Sequence, residues 1–491
     1  MTEKITPRVL LSTARTVSKN TLTLIAGSAI SQLLRVLYIG LLARYIGAEG
    51  LGRISTATAL VSLLMLMVNF GLDALVIREV ASDKSRAASY VTNVALIRLL
   101  LTWLLGAMLF VIVSLSPYET ETVVIIVVYA FVYVFESLFD VVRSVFHAFQ
   151  KMEYGVAADV TRDLMNVVVS IVGIGLGWSL VGIVSVSAIA SLFKLVVGVA
   201  LMRSRLVSTR LCFDVRLSGR LLRESLPFFA LLCISFAAER LSIIVLSWTD
   251  SAESVGIYSA GAFAITAVLL IPGMFYQSIF PAFSQAHQFS RFELCRLYEA
   301  SYKAMLLMGF PLAVGTFLVS SELIDLVFGP EFVGATVVMR ILAIQLFTIV
   351  GYVNGAFFNA TKRQTLFMIL RGASVGLSAM LSFVLIPNFG HIGAAVAVTI
   401  PAVIDFGLFS ALCHRYTGLQ LPWVLALRTG ISTGIMGAVV YVALNHGLNV
   451  FAAVLLGSVL YMLAIVALKA LSSGERRVIG AMVFPSLLQH N

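Results

Sequence analysis

Arg35 and Arg240 are the residues whose type and setting point most directly to chemistry. Each stands about halfway along an otherwise apolar run, in Gln32-Leu33-Leu34-Arg35-Val36-Leu37-Tyr38 and in Ala237-Ala238-Glu239-Arg240-Leu241-Ser242-Ile243. A charge near the centre of a bilayer is expensive, so it faces a wet cavity or a partner. For Arg240 the adjacent Glu239 offers an internal ion pair, although neighbours on a helix point in different directions. A guanidinium is a planar fork that grips two oxygens of a phosphate at once, so arginines at this depth suit an anionic passenger.

Other charges fall in similar runs. Arg98 and Lys303 lie closer to helix ends, where contact with a cavity competes with snorkelling of the charged head to the interface. Lys194 and Asp405 sit deeper at matched positions; they offer a structural pairing or, at Asp405, a site for a coupling proton or cation. Glu136, Asp140 and Arg143 are spaced for one helix face and can neutralise one another. Asp159, Arg162 and Asp163 read as an interfacial cluster on the next helix. The expected substrate-binding set is therefore cationic: Arg35, Arg240, Lys194, Arg98 and Lys303. The His and Cys residues show no metal-ligand spacing, and neither a phosphate-cradling glycine loop nor a nucleophile motif occurs. No catalytic residue, metal or cofactor is expected, and the chain does not read as an enzyme.

The elements that position these charges are membrane helices. Hydrophobic residues make up 60% of the chain and charged ones 12%, against roughly a quarter charged in a soluble domain. Apolar windows long enough to span recur at 22–44, 54–75, 90–114, 122–146, 156–176, 180–201, 228–248, 255–280, 300–319, 332–358, 365–386, 392–413, 424–444 and 448–471, which gives about fourteen transmembrane helices. The windows lack the two-residue alternation of a membrane β-barrel. The expected fold class is all-α integral membrane.

Basic residues set the orientation. Lys4, Arg8, Arg15 and Lys19 precede the first window, Arg78, Lys84 and Arg86 follow the second, and Arg203, Arg205, Arg210, Arg216, Arg220 and Arg223 follow the sixth. Arg291, Arg296, Lys362, Arg363, Arg415, Arg476 and Arg477 continue on the same side. The opposite loops hold Glu119, Glu121, Asp250, Glu253, Glu322, Asp325 and Glu331, with Arg53 nearly their only cation. Both termini are thus expected in the cytoplasm of a multi-pass cell-membrane protein. The net charge of +10 is accounted for by this bias, with no need of a nucleic-acid partner. Cys212, Cys233, Cys295 and Cys413 fall at or near the cytoplasmic side, where thiols stay reduced.

The chain also resembles itself. Ala48-Glu49-Gly50-Leu51-Gly52 returns as Ala252-Glu253-Ser254-Val255-Gly256, and at nearly constant spacing Arg35 matches Arg240, Arg98 matches Lys303, Lys151 matches Arg363, Gly182 matches Gly393 and Lys194 matches Asp405. An even number of spans separates the copies, so the repeat is parallel. The expected organisation is an N-terminal lobe of helices 1–6 at 1–205, a basic cytoplasmic linker at 206–223, a C-terminal lobe of helices 7–12 at 224–415, and helices 13 and 14 with a short tail at 416–491. Two six-helix repeats would face a central cleft.

Leu41-Leu42-Ala43-Arg44-Tyr45-Ile46-Gly47-Ala48-Glu49-Gly50-Leu51-Gly52, followed by Asn69-Phe70-Gly71-Leu72 and Arg78-Glu79, resembles the N-terminal signature of the polysaccharide transporters, the Wzx-type O-antigen flippases. These belong to the superfamily that also holds multidrug and toxin extruders and lipid II flippases. The motif residues carried over are Arg44, Gly47, Glu49 and Gly52. The resemblance implies a polyprenyl-diphosphate-linked oligosaccharide, moved from the cytoplasmic to the outer leaflet by alternating access for cell-surface polysaccharide synthesis. It also implies membrane lipids and a glycan polymerase or glycosyltransferases as partners. Two alternatives stand beside it: a cation-coupled multidrug exporter of the same fold, which would carry a dominant acidic site in its N-terminal lobe, and a membrane glycan polymerase or ligase, which would need a long outer loop.

Overall fold

The computed structural model describes residues 7–116, 118–207, 213–361, 363–419 and 422–468. Lys4, Arg210, Cys212, Lys362, Arg476 and Arg477 lie outside the described residues, as do the side chains of Arg8, Arg15, Lys19, Cys233 and Glu239. The described chain is helical throughout and groups into two compact units, Met1–Ile244 and Val245–Asn491.

The first unit opens with α1 (Pro7–Asn69). At 1.5 Å per residue such a helix would run far beyond a bilayer, and the chain breaks it at Gly47, with φ 71° and ψ −175°. That backbone region is essentially restricted to glycine, which explains why the motif has Gly at this corner. Then come α2 (Leu72–Ser82), α3 (Ala87–Ser114), α4 (Thr120–Ala148), α5 (Met152–Gly175) and α6 (Leu180–Arg205). Helix α4 packs on α1, α2, α3 and α6, while α5 packs on α1 and α6. Close approach depends on small residues, as in other membrane helix pairs: a Cβ on Gly198 of α6 would come within 2.6 Å of the Phe139 ring on α4.

Two details differ from the expected spans. The second window, 54–75, is broken after Asn69, where Phe70 (φ 45°) and Gly71 (φ 72°) turn the chain into α2. Left-handed backbone at two successive residues ends the helix whatever the hydropathy. Helix α7 (Val215–Thr249) starts well before its apolar window, inside the stretch read as a linker. Asp214 accepts hydrogen bonds from the backbone N–H of Arg216 (2.8 Å) and Leu217 (3.3 Å), a cap that starts the helix among basic residues.

In the second unit follow α8 (Ala252–Val268), α9 (Leu270–Phe289), α10 (Arg291–Phe328), α11 (Val333–Ala343), α12 (Gly351–Ala360), α13 (Gln364–Thr417), α14 (Trp423–Asn445) and α15 (Val450–Ala467). The eighth window, 255–280, is divided between α8 and α9. Pro272 stands in the first turn of α9, where its missing N–H is harmless and where it could not continue α8. The tenth window is divided by 3-10 turns at Ile344–Val350, and there α10 approaches so closely that a Cβ on Gly309 would meet the Leu346 carbonyl at 2.8 Å. Helix α13 is broken at Gly390, φ 52° and ψ −131°. Helix α14 packs on α10, and α15 packs on α14 and donates from Tyr461 to the Leu307 carbonyl at 2.6 Å.

Among the described residues nine helices are long and apolar enough to cross a membrane. This is an all-helical, multi-pass membrane protein.

Candidate functional site

The first unit contains a continuous network of charges between its membrane helices. On α4, Glu136 receives Lys194 from α6 at 2.6 Å, Arg162 from α5 at 3.0 Å and the Ser191 hydroxyl at 3.0 Å. Lys194 also reaches Asp159 of α5 at 2.8 Å and lies over the Phe139 ring. Arg143 bridges Asp140 and Asp159, both at 2.9 Å. Arg98, fully buried, donates to Asp73 of α2 at 2.7 Å and to the Ser137 carbonyl of α4. Arg162 is paired in addition with its neighbour Asp163, and Asp163 faces Arg35 of α1 at 3.5 Å.

Five cations, Arg35, Arg98, Arg143, Arg162 and Lys194, thus meet five carboxylates, Asp73, Glu136, Asp140, Asp159 and Asp163. The network is neutral, which differs from the expected surplus of positive charge. Lys194 is 1% and Arg98 0% exposed, so each charge is already matched by protein and neither is open to a ligand. Charges buried this way must be paired, because an uncompensated ion in low dielectric costs several kcal/mol.

Arg35 stands apart from the other four. Its side chain is 50% exposed while Asp163 is 2% exposed, and their contact runs through the Arg35 Nε edge. Arg240, on α7, makes no ion pair among the described residues. Tyr38, one turn from Arg35, contacts Ser187 of α6 at 3.3 Å.

Lys303 and Asp405 belong to the second unit. Lys303 pairs along its own helix with Glu299 at 2.6 Å, and Asp405 with Arg371 at 2.6 Å. The spacing that carries Lys151 to Arg363 also carries Asp159 to Arg371. The α5–α6 ion pair Asp159–Lys194 therefore recurs as Arg371–Asp405 between the two halves of α13, with its polarity reversed. The same register puts Ser374 and Val375 where the first copy has Arg162 and Asp163.

The motif residues surround the Gly47 corner. Arg44 is exposed, Gly52 is buried, and Glu49 pairs with Arg53 at 2.6 Å. Arg53 also holds Glu119 at 2.6 Å and, closer still, Glu121, so this cation ties the corner to the α3–α4 connection. Elsewhere in this unit an apolar cavity of about 330 Å³ lies between α3 and α4, lined by Gly106, Phe110, Ile126 and Phe131 among others.

The sequence pattern did not single out Asp73. Asp73 lies at the end of an apolar window, and only the break at Phe70 and Gly71 turns it towards Arg98.

The architecture is one of a known class. The lipid II flippase MurJ in an inward-closed conformation superposes with a TM-score of 0.74 at 16% identity, over 91% of this chain and 98% of that one. An inward-facing MATE multidrug transporter superposes with a TM-score of 0.58 at 17% identity, over 81% and 100%. At such identities the likeness defines the fold. Residues 17–287 match the profile of the polysaccharide biosynthesis protein family, and the chain belongs to that family. A curated relative, "Probable low-salt glycan biosynthesis flippase Agl15" of Haloferax volcanii, is 26% identical over 231 residues, 44% of this chain and 49% of the relative. The match spans about half the relative's length.

Proposed function

We propose that the protein is a flippase for a polyprenyl-diphosphate-linked oligosaccharide, carrying it from the cytoplasmic to the outer leaflet by alternating access of two six-helix copies. Arg35 carries this reading. Of the five cations of the network it is the most exposed, at half, and its carboxylate contact, with Asp163, is the longest. Arg240, its repeat partner, is the second cation proposed to meet the diphosphate. Lys194, Arg98 and Lys303 then act through the helices they hold together. Family membership supplies the glycan.

Fourteen spans with both ends in the cytoplasm complete the proposal. The nine qualifying helices include two that glycines break, and α5, α7 and α8 add further apolar segments. Cysteines introduced at Ser251 and Asn388 should react with an impermeant thiol reagent added outside intact cells.

The experiment is reconstitution of the full chain into vesicles with a fluorescent polyprenyl-diphosphate sugar, reading its exposure on the opposite leaflet. The account expects protein-dependent transfer that inorganic diphosphate inhibits. Transfer of a cationic dye, with the diphosphate lipid left in place, would favour the drug-exporter reading instead.

A further inference from the structure

Among the described residues Asp163 is the carboxylate in contact with Arg35, and its two oxygens have different tasks. Oδ1 is bound by Arg162, which Glu136 holds from its other side. Oδ2 is buried, accepts no hydrogen bond, and faces the Arg35 Nε at 3.5 Å. A carboxylate placed to neutralise an arginine for stability alone would engage it by the bidentate fork, the strong geometry. Here the contact is long and uses one edge. The Arg35 side chain is half exposed. The second copy retains the helix–helix ion pair but has Ser374 and Val375 in place of Arg162 and Asp163, so the repeat can be built without this pair.

We infer that Asp163 is a positioning residue: it orients Arg35 by the Nε edge, presents the Nη edge to an anionic passenger, and serves as the resident counter-charge that competes with the passenger. The inference rests on Arg35 being the passenger's contact. A fixed anion beside the binding cation lowers the affinity for a second anion by Coulomb repulsion, most strongly where water is excluded. In a carrier that weakening has a use, since a passenger bound too firmly is not released. When the passenger leaves, Asp163 is in place to neutralise Arg35, so the empty carrier does not leave an unpaired charge at membrane depth.

The test uses the full chain with inorganic diphosphate as the binding probe and the fluorescent polyprenyl-diphosphate sugar as the transport probe. Asp163→Asn should tighten diphosphate binding several-fold and lower both KM and kcat of translocation, a split that simple loss of folded protein cannot produce. Asp163→Ser is the second variant and should shift both quantities in the same direction. In an Arg35→Ala background, Asp163→Asn should change neither. If Asp163→Asn and Asp163→Ser fold and leave diphosphate affinity and the KM-to-kcat pattern unchanged while Arg35→Ala abolishes binding, the positioning role is overturned and the Arg35 contact stands. Equal tightening with and without Arg35 would also overturn it, by assigning the effect to Arg162. Undiminished diphosphate binding in Arg35→Ala would remove the reading beneath both.

Discussion

The two copies of the repeat solve one structural problem with opposite charges and then diverge. In the first, Asp159 on α5 meets Lys194 on α6; in the second, Arg371 meets Asp405 at matched positions of α13. The helix pair evidently requires a neutral ion pair, and either polarity supplies it. Around that shared feature only the first copy adds Glu136, Arg162 and Asp163, which lead to Arg35. Within this layer the pair common to both copies is therefore read as structural, and the charges confined to the first copy as those that serve Arg35. The sign at a single position says little, because Lys194 and Asp405 do the same work with opposite charge.

The largest effect should come from breaking the crowded pair. Lys194→Ala removes the buried cation that Glu136 and Asp159 share and leaves each with one arginine, Arg162 and Arg143; removing one partner of a buried ion pair costs up to about 3 to 5 kcal/mol. Thermal unfolding in detergent should show the loss, and a near-native midpoint would refute the ion-pair assignment. A polarity exchange sharpens the comparison further. The double variant Arg371→Asp with Asp405→Lys should recover most of the stability that Asp405→Lys alone loses, because that pair stands by itself. Exchange of Asp159 and Lys194 should not recover it, since a carboxylate at position 194 would face Glu136.

Smaller again is the corner. Gly47→Ala forces a side chain into the glycine-only backbone region and should cost about 1 to 3 kcal/mol, measured as a lowered unfolding midpoint. The smallest effect belongs to the surface pairs of α7. A hydrogen bond from Arg220 holds the Glu224 carboxyl below its ordinary range, with Arg78 of α2 adding to it. A depressed carboxylate stabilises the fold above its unfolded pKa and loses that contribution as pH falls through its folded value. Glu224→Gln should therefore lower stability slightly at neutral pH and leave it unchanged at low pH, which flattens the acid limb of a stability–pH profile; the effect is small, as expected for exposed pairs.

Much of the fold was legible in hydropathy, because apolar length is what a bilayer demands and short loops leave little choice. The helix breaks were less so. Phe70 and Gly71 interrupt a window on backbone conformation, which hydropathy does not sense, and α7 begins among basic residues on an Asp214 cap. Within the site, Arg143 with Asp140 could be read from same-helix spacing, whereas Lys194 draws its partners from α4 and α5. Pairs within one helix leave a periodic trace in the sequence, and pairs between helices leave none until the register of the repeat is known. That is why Lys194 and Arg98 resembled open cations, and why Asp163 passed as an interfacial charge.

The central claim is that Arg35 receives the passenger's diphosphate, and translocation by Arg35 variants tests it most directly. With abundance and unfolding midpoint matched to the parent, Arg35→Ala should cut transfer of the fluorescent polyprenyl-diphosphate sugar strongly. Arg35→Lys, which keeps the charge but loses the two-pronged fork, should restore only part of it. Transfer by Arg35→Ala at the parent rate would contradict the account and return Arg35 to a purely structural partnership with Asp163.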